Sequence, residues 1–284
     1  MKKFFCLILL TLLILPSASY ATRYALIIGI GAYPAESGWS KINGDKDVPV
    51  VKKILIENGF NEKNIVELKN EQATSKSIST EFQKLIKKVG SNDVVYIHFS
   101  GHGQRVTDVN GDEEDGFDEA WIPFDAKFSY VKGKYEGENH IIDDQLNKWL
   151  SQLRSKVGEK GKITVVADAC HSGGGSRAIE DDVEYVVRGT SDDFIIPGKT
   201  KQFSGEVGII DWIFVSACKS YQSNYEYNGM GSLTYALDLY SKQLSSLSSK
   251  ELKSKISATF REVLPFTQTP VIEVPLEGNQ LNMF

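Results

Sequence analysis

Apolar and polar positions along the chain follow two different periods. Near-continuous apolar runs rich in β-branched residues predict buried strands at residues 23–30, 65–68, 93–99, 162–167 and 211–217. Apolar stripes at helical spacing predict helices at residues 47–57, 75–89, 142–153, 232–244 and 252–263. Ser248 and Glu251 are spaced as a capping box before the last of these helices. Because buried strands alternate with helices, we expect an α/β fold whose mostly parallel sheet is covered on both faces.

The first residues have the pattern of an export signal. Two lysines precede an apolar run at residues 4–15, and Ser19-Tyr20-Ala21 places small residues where a signal peptidase cuts. The run is about twelve residues long, whereas a membrane span needs roughly twenty. We therefore predict a signal peptide at 1–21 and a secreted or periplasmic protein, with an N-terminal membrane anchor as the alternative.

Composition narrows the class of protein. The 284 residues are 41% apolar and 24% charged, which is ordinary for a globular domain. The net charge of −5 comes without a basic cluster, which argues against nucleic acid as a partner and permits a cationic substrate. Cys170 and Cys218 remain once a signal containing Cys6 is removed. A disulfide between them is the alternative to a reactive thiol.

Two predicted strands end in reactive side chains. The strand at 93–99 runs into His102, and the strand at 162–167 runs into Cys170. If these strands are neighbours in a parallel sheet, both residues face one cleft, because ligands bind beyond the carboxyl ends of such strands. A thiol needs a base of this kind, since the thiolate is the nucleophile. The backbone N–H groups of Gly103 and Cys170 are candidates for an oxyanion hole.

Two longer motifs around these residues carry a family resemblance. His98-Phe99-Ser100-Gly101-His102-Gly103 and Asp168-Ala169-Cys170-His171-Ser172-Gly173 resemble the catalytic motifs of metacaspases, the caspase relatives of bacteria, plants and protists. Shorter segments resemble other parts of that family in the same order; they lie at residues 24–30, 43–47, 112–119, 216–218, 231–237 and 268–270.

The resemblance implies a fold, a domain organisation and catalytic roles. The fold would be a caspase-like three-layer α/β/α sandwich with a mostly parallel central sheet. The peptidase domain would span 22–284, with a large-subunit-like part at about 22–176, a linker at about 177–206 and a small-subunit-like part at about 207–284. Cys170 would be the nucleophile and His102 the general base. His98 lies inside a strand, and alternation points His171 to the other face, so neither is expected to be the base.

An acidic specificity pocket is expected beside the nucleophile. Asp168 lies two residues before Cys170, so an extended backbone places both side chains on one face. The resemblance adds Asp47 as a second acid and Ser100 as a polar wall. Acidic charge at the helix N-terminus is the structural alternative for Asp47. The pocket predicts cleavage after Arg or Lys.

The acidic stretch at residues 107–119 suggests a calcium site. The chemistry itself requires no cofactor, but many metacaspases use Ca²⁺ as an activator. The resemblance points to Asp118, Asp143 and Asp144 as ligands, and hard divalent ions prefer such oxygen atoms. Arg177 stands where the family has a fourth ligand. Two alternatives are a solvated acidic loop and an EF-hand-like loop, in which Glu113 would replace the usual glycine; the EF-hand-like ligands would be Asp108, Asn110, Asp112 and Glu119.

The polar stretch at residues 173–206 shows no clear period. Long irregular loops in compact domains are usually functional or disordered. In the resembled family this linker is often cut by the enzyme itself, so we expect a zymogen that cuts itself after a basic residue; an uncut surface loop is the alternative. The candidates are Arg177, Arg188, Lys199 and Lys201. Cys218 ends a predicted strand and is expected to line the floor near the pocket.

The function predicted from the sequence is that of a cysteine endopeptidase. Its partners would be protein or peptide substrates with a basic residue before the cut, with no nucleic acid, no membrane after signal cleavage and a monomeric state. Three alternatives stay open: another cysteine hydrolase or acyltransferase on the same fold, a non-catalytic calcium-binding secreted protein, and a disulfide-bonded inactive form.

Overall fold

A computed structural model describes residues 21–170, 177–180, 183–199, 210–275 and 282–284. Side chains are described for these residues except 177–180 and 183–184. The predicted signal peptide, apart from Ala21, lies outside the described residues. His171 and Lys201 lie outside them as well, as does the side chain of Arg177.

Thirteen strands and five α-helices are assigned in the described part of the chain. In chain order they are β1 Arg23–Gly29, α1 Gly44–Glu57, β2 Ile65–Lys69, α2 Ser75–Lys88, β3 Val94–Ser100, β4 Gly103–Thr107, β5 Phe117–Trp121, β6 Ile141–Ile142, α3 Asp143–Val157, β7 Lys162–Asp168, β8 Arg177–Glu180, β9 Val183–Val186, β10 Ile213–Ser216, β11 Glu226–Tyr227, β12 Met230–Gly231, α4 Ser232–Leu239, α5 Ser249–Val263 and β13 Val271–Glu273.

Six strands form the central sheet, in the order β13-β10-β7-β3-β1-β2. All neighbouring pairs are parallel except β10 and β13, which are antiparallel. The neighbours β3 and β7 lie at the centre, and Ser100 pairs with Asp168 in their register. Their carboxyl ends therefore reach the same edge of the sheet.

Helices cover both faces of this sheet. One buried cluster holds the apolar stripes of α2 and α3 together with Leu26, Ile28 and Val95. The other holds the stripes of α1, α4 and α5 together with Ile27 and Val215. Each strand contributes alternate side chains to opposite faces, so a run that is apolar throughout needs cover on both sides. The predicted three-layer α/β/α sandwich with a mostly parallel central sheet is confirmed.

The predicted element bounds hold with local exceptions. Helix α1 begins at Gly44, three residues before the predicted start, and α4 ends at Leu239, after which a short 3₁₀ turn covers Ser241–Gln243. The predicted capping box of α5 is present, with the Ser248 hydroxyl accepting from the backbone N–H of Glu251. Helix α3 extends four residues past its predicted end, to Val157, and α5 begins three residues before its predicted start, at Ser249.

Small antiparallel units occupy the two stretches that lacked a period. The acidic stretch joins β4 to β5, and these strands form a three-stranded sheet with β6. The stretch at 173–206, whose sequence shows no clear period, contains the hairpin of β8 and β9. Strands of four residues that pair locally leave too short a pattern to detect in the sequence.

No helix within the described ranges combines the length and apolar character that crossing a bilayer requires.

Candidate active site

His102 and Cys170 occupy matching places at the carboxyl edge of the sheet. Each lies two residues beyond the last paired residues of the central strands, Ser100 of β3 and Asp168 of β7. Both side chains are fully buried. The structure therefore brings the two predicted catalytic residues to neighbouring strand ends of a parallel sheet.

The ring of His102 is held in one orientation. Its Nε2 lies 2.9 Å from the carbonyl oxygen of Ser40, so Nε2 carries the proton and donates it. Its Nδ1 is buried and has no hydrogen-bond partner among the described residues. The ring stacks on Trp39 with centroids 4.8 Å apart. This tautomer leaves the Nδ1 lone pair available to accept a proton.

Burial also sets the charge of His102. Burial of the ring lowers the pKa of His102 to about 4. The hydrogen bond to Ser40 favours the charged form but is the smaller effect. The imidazole is therefore neutral at pH 7. A neutral imidazole with an accessible lone pair is the form that acts as a general base.

A loop after β1 supplies residues that sequence reasoning missed. The Tyr33 hydroxyl accepts from the backbone N–H of His102 at 3.0 Å and donates to the carbonyl of Ile122 at 2.9 Å. Trp39 and Ser40 lie in the same loop and fix the ring itself. No periodic pattern or motif marks these residues, because their role depends on a contact with a residue more than sixty positions away.

Cys170 and Cys218 are not joined by a disulfide. The Cys170 thiol donates to the carbonyl oxygen of Gln222 at 2.8 Å, and the Cys218 thiol donates to the same oxygen at 3.1 Å. A hydrogen bond with Cys170, together with burial, raises the pKa of the Cys218 thiol. Cys218 is therefore a neutral neighbour of Cys170 at the floor of the site, where the sequence predicted it.

The side chain of Arg188 fills the space between the predicted pocket acids. Its Nη1 lies 2.6 Å from Oδ2 of Asp47 and 3.6 Å from Oδ1 of Asp168. Its Nε lies 3.0 Å from Oε1 of Glu226. All four residues are buried. A buried cation is stable only with such partners, so the pocket is built to hold a guanidinium group.

The backbone of Arg188 lies against Cys170, the candidate nucleophile. The backbone N–H of Cys170 donates to the carbonyl oxygen of Arg188 at 2.8 Å. Gly189 pairs with Gly103 in an isolated parallel bridge. A Cβ atom on Gly189 would lie 2.2 Å from the carbonyl oxygen of Cys170, so only glycine fits there. The peptide bond between Arg188 and Gly189 therefore sits at the candidate catalytic cysteine.

The walls of the pocket come from several elements. Asp47 lies on α1, and its Oδ1 accepts from the backbone N–H of Gly231 at 3.1 Å. Burial raises the pKa of Asp47 to about 6, although Arg188 opposes this shift. Ser100 is buried and hydrogen-bonds to Asp47, as expected of a polar wall, and its Oγ lies 3.0 Å from Nε2 of His98. His98 is a core residue, as predicted.

Asp168 is held on three sides. Asn224 Nδ2 donates to its Oδ1 at 2.8 Å, and the backbone N–H and hydroxyl of Thr234 both donate to its Oδ2 at 2.7 Å. These donors hold the carboxylate of Asp168 in one rotamer beside Arg188. They belong to the loop before β11 and to α4, so the small-subunit-like part completes the pocket.

The acidic cluster lies on the loop that joins β4 to β5 and on β5 itself. Carboxylate oxygens of Asp108, Asp112 and Asp118 lie within 4.8 Å of one another. One oxygen of Asp112 and one of Asp118 are buried without a hydrogen-bond partner in the described structure. Burial and the neighbouring carboxylates raise the pKa of Asp118 to about 8 and that of Asp143 to about 8. A cation would relieve this repulsion, so the cluster fits a hard divalent ion.

The two sets of calcium ligands that the sequence suggested as alternatives lie together in the structure. Asp144, which the sequence singled out, accepts from Asn110 Nδ2 at 2.6 Å, and its pKa is raised mainly by burial. Asp108 accepts from the backbone N–H groups of Asn110, Gly111 and Glu113, so it folds the loop. The predicted ligands Asp118, Asp143 and Asp144 thus share one neighbourhood with Asp108 and Asp112 of the EF-hand-like alternative. Glu119 also lies near enough to help raise the pKa of Asp143.

Glu226 and Gly231 are pocket residues that the sequence did not reveal. A Cβ atom on Gly231 would lie 2.1 Å from Oδ2 of Asp168 and 2.4 Å from Nη1 of Arg188. Both residues belong to the two-residue strands β11 and β12, which pair with each other. Such short strands carry no periodic signal, although an acid and a glycine close before a predicted helix could have been noted.

Comparison with known proteins identifies the family. A family model described as the metacaspase, peptidase C14 domain matches residues 23–176. Metacaspase-1B of Aspergillus fumigatus is 36% identical over 166 residues, which cover 55% of this chain and 37% of the relative. Metacaspase-7 of Arabidopsis thaliana is 37% identical over 160 residues, which cover 54% of this chain and 35% of the relative. The matched region thus spans about a third of the length of these curated relatives.

A solved structure shows a similar fold. Protein GSU0716 from Geobacter sulfurreducens aligns with a TM-score of 0.63 and 24% sequence identity, covering 89% of this chain and 93% of that one. The family match includes the strand ends that carry His102 and Cys170, and the resemblance noted in the sequence agrees with it. The chain therefore belongs to the metacaspase family of C14 peptidases.

Proposed function

We propose that the protein is a cysteine endopeptidase that cleaves after Arg or Lys. One observation carries this proposal: the chain presents its own Arg188 to the candidate pocket, with the side chain between Asp47 and Asp168 and the carbonyl on the N–H of Cys170. The internal segment thus has the contacts expected of a substrate residue before the scissile bond. Family membership supports the chemistry.

The catalytic steps follow from the two side chains. His102 Nδ1 accepts the thiol proton of Cys170, and the resulting thiolate attacks the scissile carbonyl carbon. The C–N bond breaks, and the imidazolium returns its proton to the leaving amine. Water then attacks the thioester with His102 again as base, which releases the carboxylate product and restores the thiol.

Backbone N–H groups stabilise the tetrahedral intermediate in this proposal. The N–H of Cys170 already donates to the Arg188 carbonyl at 2.8 Å. Gly103 pairs with Gly189 beside that carbonyl, which supports its N–H as the second donor. Removing one oxyanion donor typically costs a hundredfold or more in rate.

Self-processing is part of the same proposal. Of the basic residues in the linker, Arg188 is the one whose contacts with the pocket the structure describes. Its peptide bond with Gly189 is therefore the proposed cut, and the uncut chain is a zymogen whose pocket is filled by Arg188. A substrate from another molecule enters only after this residue leaves.

Calcium is proposed as an activator that takes no part in bond breaking. Asp108, Asp112 and Asp118 would hold the ion, with Asp143 and Asp144 nearby. The unpartnered buried oxygens of Asp112 and Asp118 support this assignment. Export through the signal at 1–21 and a monomeric state remain predictions.

Purified wild type and Cys170→Ala test the proposed function. Peptide substrates ending in Arg, Lys or Asp before a fluorogenic leaving group are compared with and without Ca²⁺. We expect hydrolysis after Arg and Lys by wild type and a loss of more than a thousandfold in Cys170→Ala. Cleavage after Asp, or equal activity of the two proteins, contradicts the proposal. Ser151→Ala, which removes a small polar atom from the exposed face of α3, is the control and should retain activity.

A further inference from the structure

The guanidinium of Arg188 has a third acidic partner. Glu226 lies on β11, and its side chain is almost fully buried. Its Oε1 accepts from Nε of Arg188 at 3.0 Å, whereas Asp47 and Asp168 approach the terminal nitrogen Nη1. The pocket therefore contacts a basic side chain at two different points.

Glu226 is held in position from the other side. The backbone N–H of Asn43 donates to its Oε1 at 2.7 Å, and the Nδ2 of Asn43 donates to its Oε2. On the next strand, Gly231 pairs with Glu226 and brings its Cα against Asp168 and Nη1 of Arg188. The carboxylate of Glu226 is thus fixed before any substrate arrives. Only a side chain with an N–H group at the position of Nε can then donate to it.

Arginine and lysine differ at the atom that Glu226 contacts. Arginine has an N–H group at the fourth atom beyond Cα, and lysine has a methylene there. A lysine in this pocket would still place its charge near Asp47. The atom beside Oε1 of Glu226 would be a carbon, which donates no N–H hydrogen bond. Asn43 still donates to the carboxylate, so lysine forfeits one hydrogen bond to a charged group, and arginine is favoured by the free energy of that bond.

We propose that Glu226 is a specificity-determining residue that makes the pocket select arginine over lysine. This inference rests on the proposed function, since it assigns Glu226 to the same pocket. The lost hydrogen bond to a charged group corresponds to a preference of about tenfold to a hundredfold in kcat/KM.

The first experiment compares paired substrates on the self-processed protein. Two peptides that differ only in Arg or Lys before the cut are assayed with wild type, Glu226→Ala and Glu226→Gln. We expect a wild-type preference for Arg of about tenfold or more. In Glu226→Ala, kcat/KM for Arg falls by a similar factor while that for Lys changes less than about threefold. Glu262→Ala, an exposed acid on α5, is the matched control and keeps the wild-type ratio.

The second experiment leaves Glu226 in place, which covers the case of a variant that fails to fold. Arg188→Lys presents lysine to the intact pocket within the same chain, and cleavage before Gly189 is followed by gel and mass spectrometry. We expect self-cleavage at this bond to slow by about tenfold or more relative to wild type. In the double variant with Glu226→Ala, the difference between arginine and lysine shrinks.

The outcomes separate the two proposals. Equal rates after Arg and Lys in wild type, or equal loss of both in Glu226→Ala, overturn the role of Glu226 and leave the peptidase intact. Absence of any cleavage that depends on Cys170 refutes the proposed function, and this inference falls with it.

Discussion

At the scale of residues, the site depends on how neighbours fix the protonation and position of single side chains. Ser40 holds the proton of His102 on Nε2, and Trp39 covers the ring, so Nδ1 is the lone pair that remains. Glycines act by leaving room: Gly231 lies so close to Asp168 and Arg188 that a methyl group would overlap with both.

Gly231→Ala should block the pocket without unfolding the protein. The backbone at Gly231 has φ −63° and ψ 140°, which alanine adopts easily, so the effect comes from the Cβ atom against Asp168 and Arg188. We expect kcat/KM for Arg substrates and the rate of self-cleavage to fall at least about tenfold. Gly90→Ala is the control, because its Cβ would have a nearest contact of 3.9 Å. Unchanged activity of Gly231→Ala would show that arginine does not bind here.

His140 should make the protein less stable in acid. Its Nε2 contacts Oε1 of Gln104 at 3.1 Å, and burial lowers the pKa of His140 from 6.5 to about 4. Between these values the unfolded chain binds a proton that the folded protein does not, so stability is lost as pH falls from 6.5 towards 4.

Urea unfolding at pH 7 and pH 4 measures this effect. We expect wild type to lose about 3 kcal/mol more than His140→Gln over that interval, since the variant has no group to titrate. Parallel pH dependence of the two proteins would contradict the assigned pKa.

At the scale of elements, β4 connects the candidate active site with the acidic cluster. It begins at Gly103, beside the candidate catalytic residues, and ends where the acidic loop starts. Arg105 in its middle forms a paired contact with Asp193 through Nε and Nη2, both at 2.9 Å, and also approaches Asp115 of the acidic loop. Arg105 thereby links the segment that follows Arg188 to β4, the strand that leads into the acidic loop.

Calcium binding should stabilise this small sheet. The buried oxygens of Asp112 and Asp118 have no partner in the described structure, so an ion would replace repulsion by coordination. We expect millimolar Ca²⁺ to raise Tm by several degrees, about 2–8 °C. Asp118→Asn should lose this response. Glu114→Gln changes an exposed acid in the same loop and should keep it. A rise in Tm that persists in Asp118→Asn would place the ion elsewhere.

At the scale of the whole molecule, the proposed cut divides a single sheet. The bond between Arg188 and Gly189 lies between β9 and β10, yet β10 pairs with β7 and extends the central sheet to β13. The part after the cut also supplies Asn224, Glu226 and Thr234 to the pocket. Neither fragment holds a complete pocket alone.

The two fragments should therefore stay together after self-cleavage. We expect one peak at the mass of the uncut protein in size-exclusion chromatography, and two bands on a denaturing gel. Cys170→Ala should give the same peak and a single band. Separate native peaks for the two fragments would contradict the shared sheet.

The sequence is sufficient to predict the sheet and to place His102, Cys170 and Asp168 at neighbouring strand ends, because long apolar runs and the residues that follow them have recognisable patterns. Asp47 comes from the family resemblance. The sequence did not reveal Glu226 or Ser40, since these act through contacts between segments far apart in the chain. In the sequence, Arg188 is only one of several basic residues in a loop. Its place in the pocket depends on how that loop returns to the cysteine, and local sequence does not encode that path.

The tight contact at Gly189 has a consequence for substrates from other molecules. A side chain at this position would overlap with the carbonyl of Cys170, so under the proposed function the leaving-group side of the site would accept only a very small residue. Targets that present a basic residue followed by glycine would enter, and bulky successors would be rejected before chemistry begins. Exposed loops of other proteins in which Arg is followed by Gly would then be the sites that this peptidase cuts.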